Sequence, residues 1–237
     1  ELKEYRKKAQ LIFQDPYAAL NPRMTVRDII AEPLEVMELV QTREEADQKV
    51  REIASKCRLN LEHLRRFPHA FSGGQRQRIS IARTLVCSPN FVVADESVAA
   101  LDVSIQADIL NLLKSLQNNL GLTFLFISHD LSVVAHICDT VAVMYLGTIV
   151  ESAPTRSLFT QPKHPYTKAL LSAIPTLNPE DRGKAQKLEG EIPSPVNPPS
   201  GCRFHTRCPV VEDRCRKEVP QWRESSPGHS VACHLVG

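Results

Sequence analysis

Two hydrophobic rhythms alternate along residues 1–153. A short apolar run at 10–13 reads as a strand and ends at Gln14, where Asp15-Pro16 and Asn21-Pro22 mark turns. Helical patterns rich in Glu, Lys, Ala and Leu follow at about 25–40 and 43–58. A further helix begins at Ser72 and runs to about Val86. Phe91-Val92-Val93-Ala94 is an unbroken apolar run, the pattern of a strand buried on both faces. Asp102 or Ser104 opens a helix with apolar residues at 105, 109, 112, 113 and 116, the spacing of one helical face. Residues 122–127 repeat the buried-strand pattern, 131–137 form a short helix, and 140–144 and 148–151 are further strands. Strands alternating with helices predict an α/β fold with a mainly parallel sheet. In such sheets ligands sit beyond the carboxyl ends of the strands. Gln14, Asp95-Glu96 and Ser128-His129 all fall just after predicted strands.

Composition narrows the picture. At 237 residues the chain suits one large domain with a small appendage. The formal charge of +2 argues against a basic nucleic-acid surface, so no nucleic-acid partner is expected. No run of 18 apolar residues and no signal-peptide pattern is found. Twelve of the 17 prolines lie in 154–237, which predicts a loop-rich appendage there. Cys202, Cys208, Cys215 and Cys233 cluster in the same tail, whereas Cys57, Cys87 and Cys138 are scattered among helical or apolar segments and read as core residues.

Three segments carry chemistry. Two adjacent carboxylates, Asp95 and Glu96, end a buried strand and are costly there unless something cationic or protic meets them. Neighbours on a strand face opposite ways, so one can hold Mg²⁺ while the other orients a water toward a phosphate. Ser72-Gly73-Gly74-Gln75 opens a helix with the pattern of a capping box, and its glycines let a phosphate approach free backbone N–H groups. Arg76 and Arg78 place cationic charge nearby. His129 and Gln14 stand at the ends of two other strands. Each feature has a plainer reading: a solvated strand end, a glycine turn before a capped helix, a structural histidine, an ordinary surface amide. Their convergence favours the chemical one.

Together, Gln14, Phe71-Ser72-Gly73-Gly74-Gln75-Arg76-Gln77-Arg78, residues 91–96, Ala100-Leu101-Asp102 and Ile127-Ser128-His129-Asp130 resemble, in order and spacing, the Q-loop, signature, Walker B, D-loop and H-loop of an ATP-binding cassette (ABC) ATPase. The resemblance covers about residues 1–152. Phe13-Gln14-Asp15-Pro16-Tyr17, Asn21-Pro22-Arg23-Met24 and Val103-Ser104-Ile105-Gln106 are similar to the dipeptide, oligopeptide and nickel importer branch, as are His164-Pro165-Tyr166-Thr167 and Gly190-Glu191-Ile192-Pro193-Ser194-Pro195 in the tail.

That resemblance implies a P-loop-NTPase-like ATPase domain over 1–152, with a helical subdomain at about 15–70 and a Pro- and Cys-rich extension over 153–237. It implies ATP and Mg²⁺, with Asp95 on the metal, Glu96 as general base and His129 at the γ-phosphate. Gln14 senses nucleotide. Ser72, Gly73, Gly74 and Gln75 bind ATP held by the opposite subunit, and Asp102 communicates across the dimer. The implied partners are a second ABC ATPase subunit, identical or similar, two transmembrane permease subunits and an extracytoplasmic solute-binding protein. The implied place is the cytoplasmic face of the inner membrane, as a peripheral subunit driving peptide uptake.

Departures from the pattern matter. No glycine begins G-x-x-x-x-G-K-[ST], and the only Gly-Lys is Gly183-Lys184, so the phosphate-cradling P-loop is absent. In the family that loop lies upstream of the Q-loop. The expectation is an N-terminally truncated chain, inactive alone. Ser97 stands where the branch usually has Pro, freeing an N–H and loosening the turn after Glu96. Ala99 stands where it usually has Ser, removing a hydroxyl. The spacing Cys202-x5-Cys208-x6-Cys215-x17-Cys233 matches no usual zinc motif. In a reducing compartment four thiols suit Zn²⁺ or an Fe–S cluster better than disulfides. The tail resembles those of peptide-importer ATPases carrying a [4Fe–4S] cluster; free thiols packing a small tail are the alternative. Two rival functions remain: a soluble ABC ATPase of DNA repair or translation, which lacks the tail from His164, and a non-catalytic metal-binding or scaffolding module.

Overall fold

The computed structural model describes residues 2–174 and 188–236, so Gly183-Lys184 lies outside the described residues. Two compact units divide the chain, 1–130 and 131–237.

In the first unit, α1 (Leu2–Lys8) leads into β1 (Ala9–Ile12), which stops before Gln14. Asp15 then caps α2 (Pro16–Ala19), accepting from Tyr17 N, with Pro16 at the position where its missing N–H costs nothing. Thr25 and Thr42 cap α3 (Val26–Val36) and α4 (Arg43–Lys56) by accepting from Asp28 N and Glu45 N. α5 (Gly73–Leu85) leads to β2 (Phe91–Asp95). α6 (Val103–Leu120) ends at Gly121, whose left-handed φ of 65° closes the helix at no steric cost. β3 (Thr123–Ile127) completes the sheet.

The sheet order is β1-β2-β3, all parallel. Its register aligns Ile12, Ala94 and Phe126 in one row, so the three strands finish together. α5 packs on β1, and α3, α4 and α6 pack on α5. Ile12, Ile29, Ile30, Leu34, Ile79, Ile81, Ile109, Leu112 and Leu113 are fully buried there. Each such side chain contributes about 1.5–3 kcal/mol of burial.

The expectation that β2 and β3 are buried on both faces is corrected. β2 buries Val92 and Ala94 while Phe91, Val93 and Asp95 are half-buried. The face carrying Leu11, Leu125 and Ile127 is exposed among the described residues.

The mainly parallel sheet does not extend into the second unit, which builds its own antiparallel sheet. After α7 (Leu131–Ile137), β4 (Thr140–Tyr145) and β5 (Thr148–Pro154) form a hairpin. Its two-residue turn, Leu146-Gly147, has φ of 44° and 76°, the positive pair that a tight twisted hairpin requires. α8 (Thr155–Thr160), α9 (Pro165–Ser172), α10 (Asp213–Lys217), β6 (Arg223–Ser226) and β7 (His229–Val231) follow. The order is β4-β5-β7-β6. Strands of the proline-rich tail therefore share a sheet with the hairpin, which is why compactness divides the chain at Asp130 although the motifs run to about residue 152. Tyr145, Val150, Leu158 and Phe204 form the local core.

Candidate functional site

Parallel register carries the residues that follow each strand to one rim of the sheet. Gln14 Nε2 donates to Glu96 Oε2. The His129 Nδ1 lies 2.9 Å from Glu96 Oε1. Both carboxylate oxygens of Glu96 are thus engaged, one by a neutral amide from beyond β1 and one by an imidazole from beyond β3. Glu96 adopts φ of 43°, rare for a side chain with a Cβ and costing about 1–3 kcal/mol where it is enforced. Its amide is tied to Ile127 O at 2.9 Å and Ala99 N to its carbonyl at 3.0 Å, which holds the turn in place. Such strain at a polar rim points toward function. His129 is open to solvent and Glu96 mostly covered, with side-chain exposures of 71% and 27%. Ser128 fixes the approach of the imidazole by accepting from Asp130 N at 3.0 Å. Asp95 ends β2 half-buried, paired in register with Ile127. A carboxylate there has only acceptor oxygens, which suits a hard divalent cation.

The glycine turn is a separate feature. Ser72 Oγ accepts from Gln75 N at 3.4 Å, and Gln75 Oε1 accepts from Ser72 N at 3.0 Å, completing the capping box read from sequence. Ser72 and Gln75 are exposed, Gly73 is half-buried and Gly74 buried. The two glycines serve different ends. A Cβ on Gly73 meets only Leu101 Cδ2 at 3.6 Å, an ordinary contact, whereas one on Gly74 falls 2.5 Å from Ile105 Cγ2 of α6. Gly74 lacks a side chain because Ile105 occupies that space, a reason the sequence pattern does not carry. Gly74→Ala is therefore expected to destabilise the chain by about 1–3 kcal/mol through overpacking. The shift in urea midpoint measures it, and adding Ile105→Ala recovers most of the loss.

The cationic heads near the turn are taken up by partners within the chain. Arg78 pairs with Asp108 and donates to Cys57 O at 3.1 Å. The Arg76 guanidinium lies over the Tyr17 ring. Asp102 sits exposed at the N-cap of α6, with no side-chain capping bond.

In the tail, no cysteine is in a disulfide. Burial raises the Cys202, Cys208 and Cys233 thiols above the usual range, and the neighbouring sulfurs of the same cluster add to it. Backbone amides of Phe204, Val210 and Leu235, each two residues beyond a cysteine, act in the opposite direction on Cys202, Cys208 and Cys233. Cys202 N also donates to Cys215 O at 2.8 Å. Gly201 permits that approach, since a Cβ there falls 2.5 Å from the same carbonyl. No three His, Cys, Asp or Glu side chains among the described residues, the four tail thiols included, stand in a metal-holding arrangement. Cys57 is a buried core thiol as expected, pushed up to about 12 by desolvation.

One cluster goes beyond the motif reading, which named only His164 of it. Glu151 is wholly buried in β5. It accepts from Lys163 N at 2.7 Å and His164 N at 2.9 Å, and lies 2.7 Å from His229 Nε2. Its only signal in the sequence is an acid inside an apolar strand.

Known proteins define the class first. The structure of cbiO1 from Clostridium perfringens, part of the ABC transporter complex cbiONQ, superposes with a TM-score of 0.60 at 26% identity, over 67% of this chain and 61% of that one. The ATP-binding cassette MJ0796, solved as a dimer in a post-hydrolysis state with ADP and Pi, gives 0.57 at 28% identity over 65% and 66%. The fold is that of an ABC ATPase domain. A family described as ABC transporter matches residues 1–99, and the oligopeptide/dipeptide transporter C-terminal region matches 150–215. The putative oligopeptide transport ATP-binding protein YkfD of Bacillus subtilis is 55% identical over 98% of this chain and 71% of its own length. A putative peptide import ATP-binding protein of Brucella ovis is 54% identical over 98% and 73%. The chain belongs to the ABC transporter ATP-binding proteins of the oligopeptide/dipeptide type. Among the described residues no helix is long and apolar enough to cross a membrane.

Proposed function

We propose that this chain is the catalytic part of an ATPase subunit that powers peptide import, with residues 1–152 as its ATPase portion and 153–237 as its extension. The observation that carries the reading is the gathering of Gln14 and His129 on the two oxygens of Glu96 at the strand ends. Glu96 takes the proton of the water that attacks the γ-phosphate. His129 orients Glu96 and faces the departing phosphoryl group. Gln14 reports phosphate occupancy to α2 and the helices beyond it. Asp95 would hold Mg²⁺, which would offset the negative charge of the phosphates. The chemistry is positioning and electrostatics, since phosphoryl transfer asks for little else. Ser72, Gly73 and Gln75 face the ATP of a second, identical or similar ATPase, Gly74 packs beneath them against Ile105, and Asp102 lies at the same seam.

Two permease subunits, which hold the ATPase at the cytoplasmic face of the inner membrane, and an extracytoplasmic binding protein complete the assembly. The protein expressed from its complete reading frame and reconstituted with those partners in vesicles is expected to hydrolyse ATP faster when a peptide-loaded binding protein is supplied outside. Turnover indifferent to peptide would sink the importer reading.

The tail thiols Cys202, Cys208, Cys215 and Cys233 take a [4Fe–4S] cluster or Zn²⁺. Backbone amides directed at three of the sulfurs support this, since such amides tune thiolate-bound clusters. Iron, sulfide and zinc analysis of anaerobically purified protein is expected to find bound metal that Cys215→Ser removes. Metal-free protein overturns it.

A further inference from the structure

α2 begins two residues after Gln14 and is held to α5 at both of its ends. Near its start, the Arg76 guanidinium carbon lies 4.1 Å from the centre of the Tyr17 ring. The turn ahead of α5 aims that guanidinium: Arg76 Nε donates to Pro68 O at 2.9 Å and Nη2 to His69 O at 3.4 Å. At the last residue of α2, Ala19 O accepts from Arg83 Nη1 at 3.2 Å. Arg83 Nη2 also reaches Glu32 of α3 at 2.9 Å. Arg76 and Arg83 are two helical turns apart, so they leave α5 on one face. Two anchors on a helix as short as α2 leave it no independent pivot.

The link from Gln14 into α2 is equally stiff. Tyr17 N donates to Asp15 Oδ1 at 2.7 Å, Ala19 N donates to Asp15 O at 3.1 Å, and Pro16 fixes its own φ. A shift of Gln14 therefore moves α2, and α2 carries α5 with it. The first turn of α5 is the Ser72 capping box.

We propose that the Tyr17–Arg76 contact is the positioning element that couples Gln14, at one nucleotide, to the Ser72 turn that serves the other. This rests on the function proposed above. Tyr17 is 61% exposed, so its ring contributes little to the core. The contact matters for transmission more than for folding.

The test uses the protein from its complete reading frame, assembled with its partner ATPase and permeases. Tyr17→Leu removes the π face, and Tyr17→Phe keeps it. Tyr17→Leu is expected to leave the melting midpoint and MgATP affinity of the subunit unchanged. It lowers kcat of the assembly about ten-fold and flattens the cooperative dependence on ATP. Tyr17→Phe behaves as wild type. In an Arg76→Leu background, Tyr17→Leu costs nothing further, because the contact is already gone. Wild-type turnover by Tyr17→Leu, a defect in Tyr17→Phe equal to that of Tyr17→Leu, or a second loss in the Arg76→Leu background overturns the coupling role. An intact wild-type assembly that hydrolyses no ATP overturns the ATPase reading and the coupling together, and is told apart from the other outcomes by that control.

Discussion

Glu96→Gln, made in the protein from its complete reading frame, is expected to cut ATP hydrolysis by about 10²–10⁴-fold while MgATP binding is retained. The substitution conserves shape. A glutamine can still offer one oxygen to Gln14 or His129, so the strained turn at φ of 43° and its bond to Ile127 O persist. What is lost is a carboxylate able to take a proton from water, and with it the negative charge that polarises that water. Both oxygens of Glu96 are already engaged here, by an amide and an imidazole. Taking the proton therefore means that one partner yields or is itself reoriented by the phosphate. Binding by equilibrium dialysis and turnover by phosphate release separate the two effects. A variant that hydrolyses ATP at the wild-type rate removes Glu96 as the base.

The rim was legible in the sequence because its cause is local and repeated. Gln14, Glu96 and His129 each follow an apolar run, and parallel pairing of such runs ends the strands side by side. The caps at Thr42 and Ser72 were legible too, since a capping residue and its partner lie within one turn. Long-range packing was not. Gly74 looks like a residue kept small for a ligand, and only the position of Ile105 shows that a neighbouring helix fills the space. Val93 and Leu125 read as doubly buried, but apolar composition does not say whether anything lies on the second face. The antiparallel sheet escaped because β7 is a three-residue strand with no apolar run, recruited across a long proline-rich stretch to pair with β5. Glu151 escaped for the same reason. Its partners, His164 and His229, come from segments that the hydrophobic pattern leaves unconnected.

That buried cluster gives the second large effect, an acid lability of the second unit. His164 is 1% exposed and caps α9 through Nδ1, which accepts from Tyr166 N at 3.1 Å. Protonation of Nδ1 removes the acceptor. Desolvation pushes the His164 pKa down from 6.5 to about 4, despite the opposing pull of Glu151. Between those values the unfolded chain binds a proton that the folded chain refuses, so stability rises with pH across the window. The contribution is fully present above pH 6.5 and is lost as pH falls toward 4. Two and a half pH units at about 1.4 kcal/mol each come to about 3–4 kcal/mol. Glu151 extends the trend. Burial opposes its charge, but the amides of Lys163 and His164 and the His229 ring outweigh that and hold its pKa below 4.5. Its share is present above 4.5 and disappears below, as the carboxylate protonates. Trp222, the single tryptophan, lies in this unit and reports on it. Its fluorescence midpoint in urea should drop steeply between pH 7 and 4.5. His164→Asn keeps a capping oxygen without a titrating ring, so it should flatten that slope while leaving the decline below pH 4.5. An equal slope in His164→Asn and wild type would place the acid sensitivity elsewhere and leave the buried cap a packing feature alone.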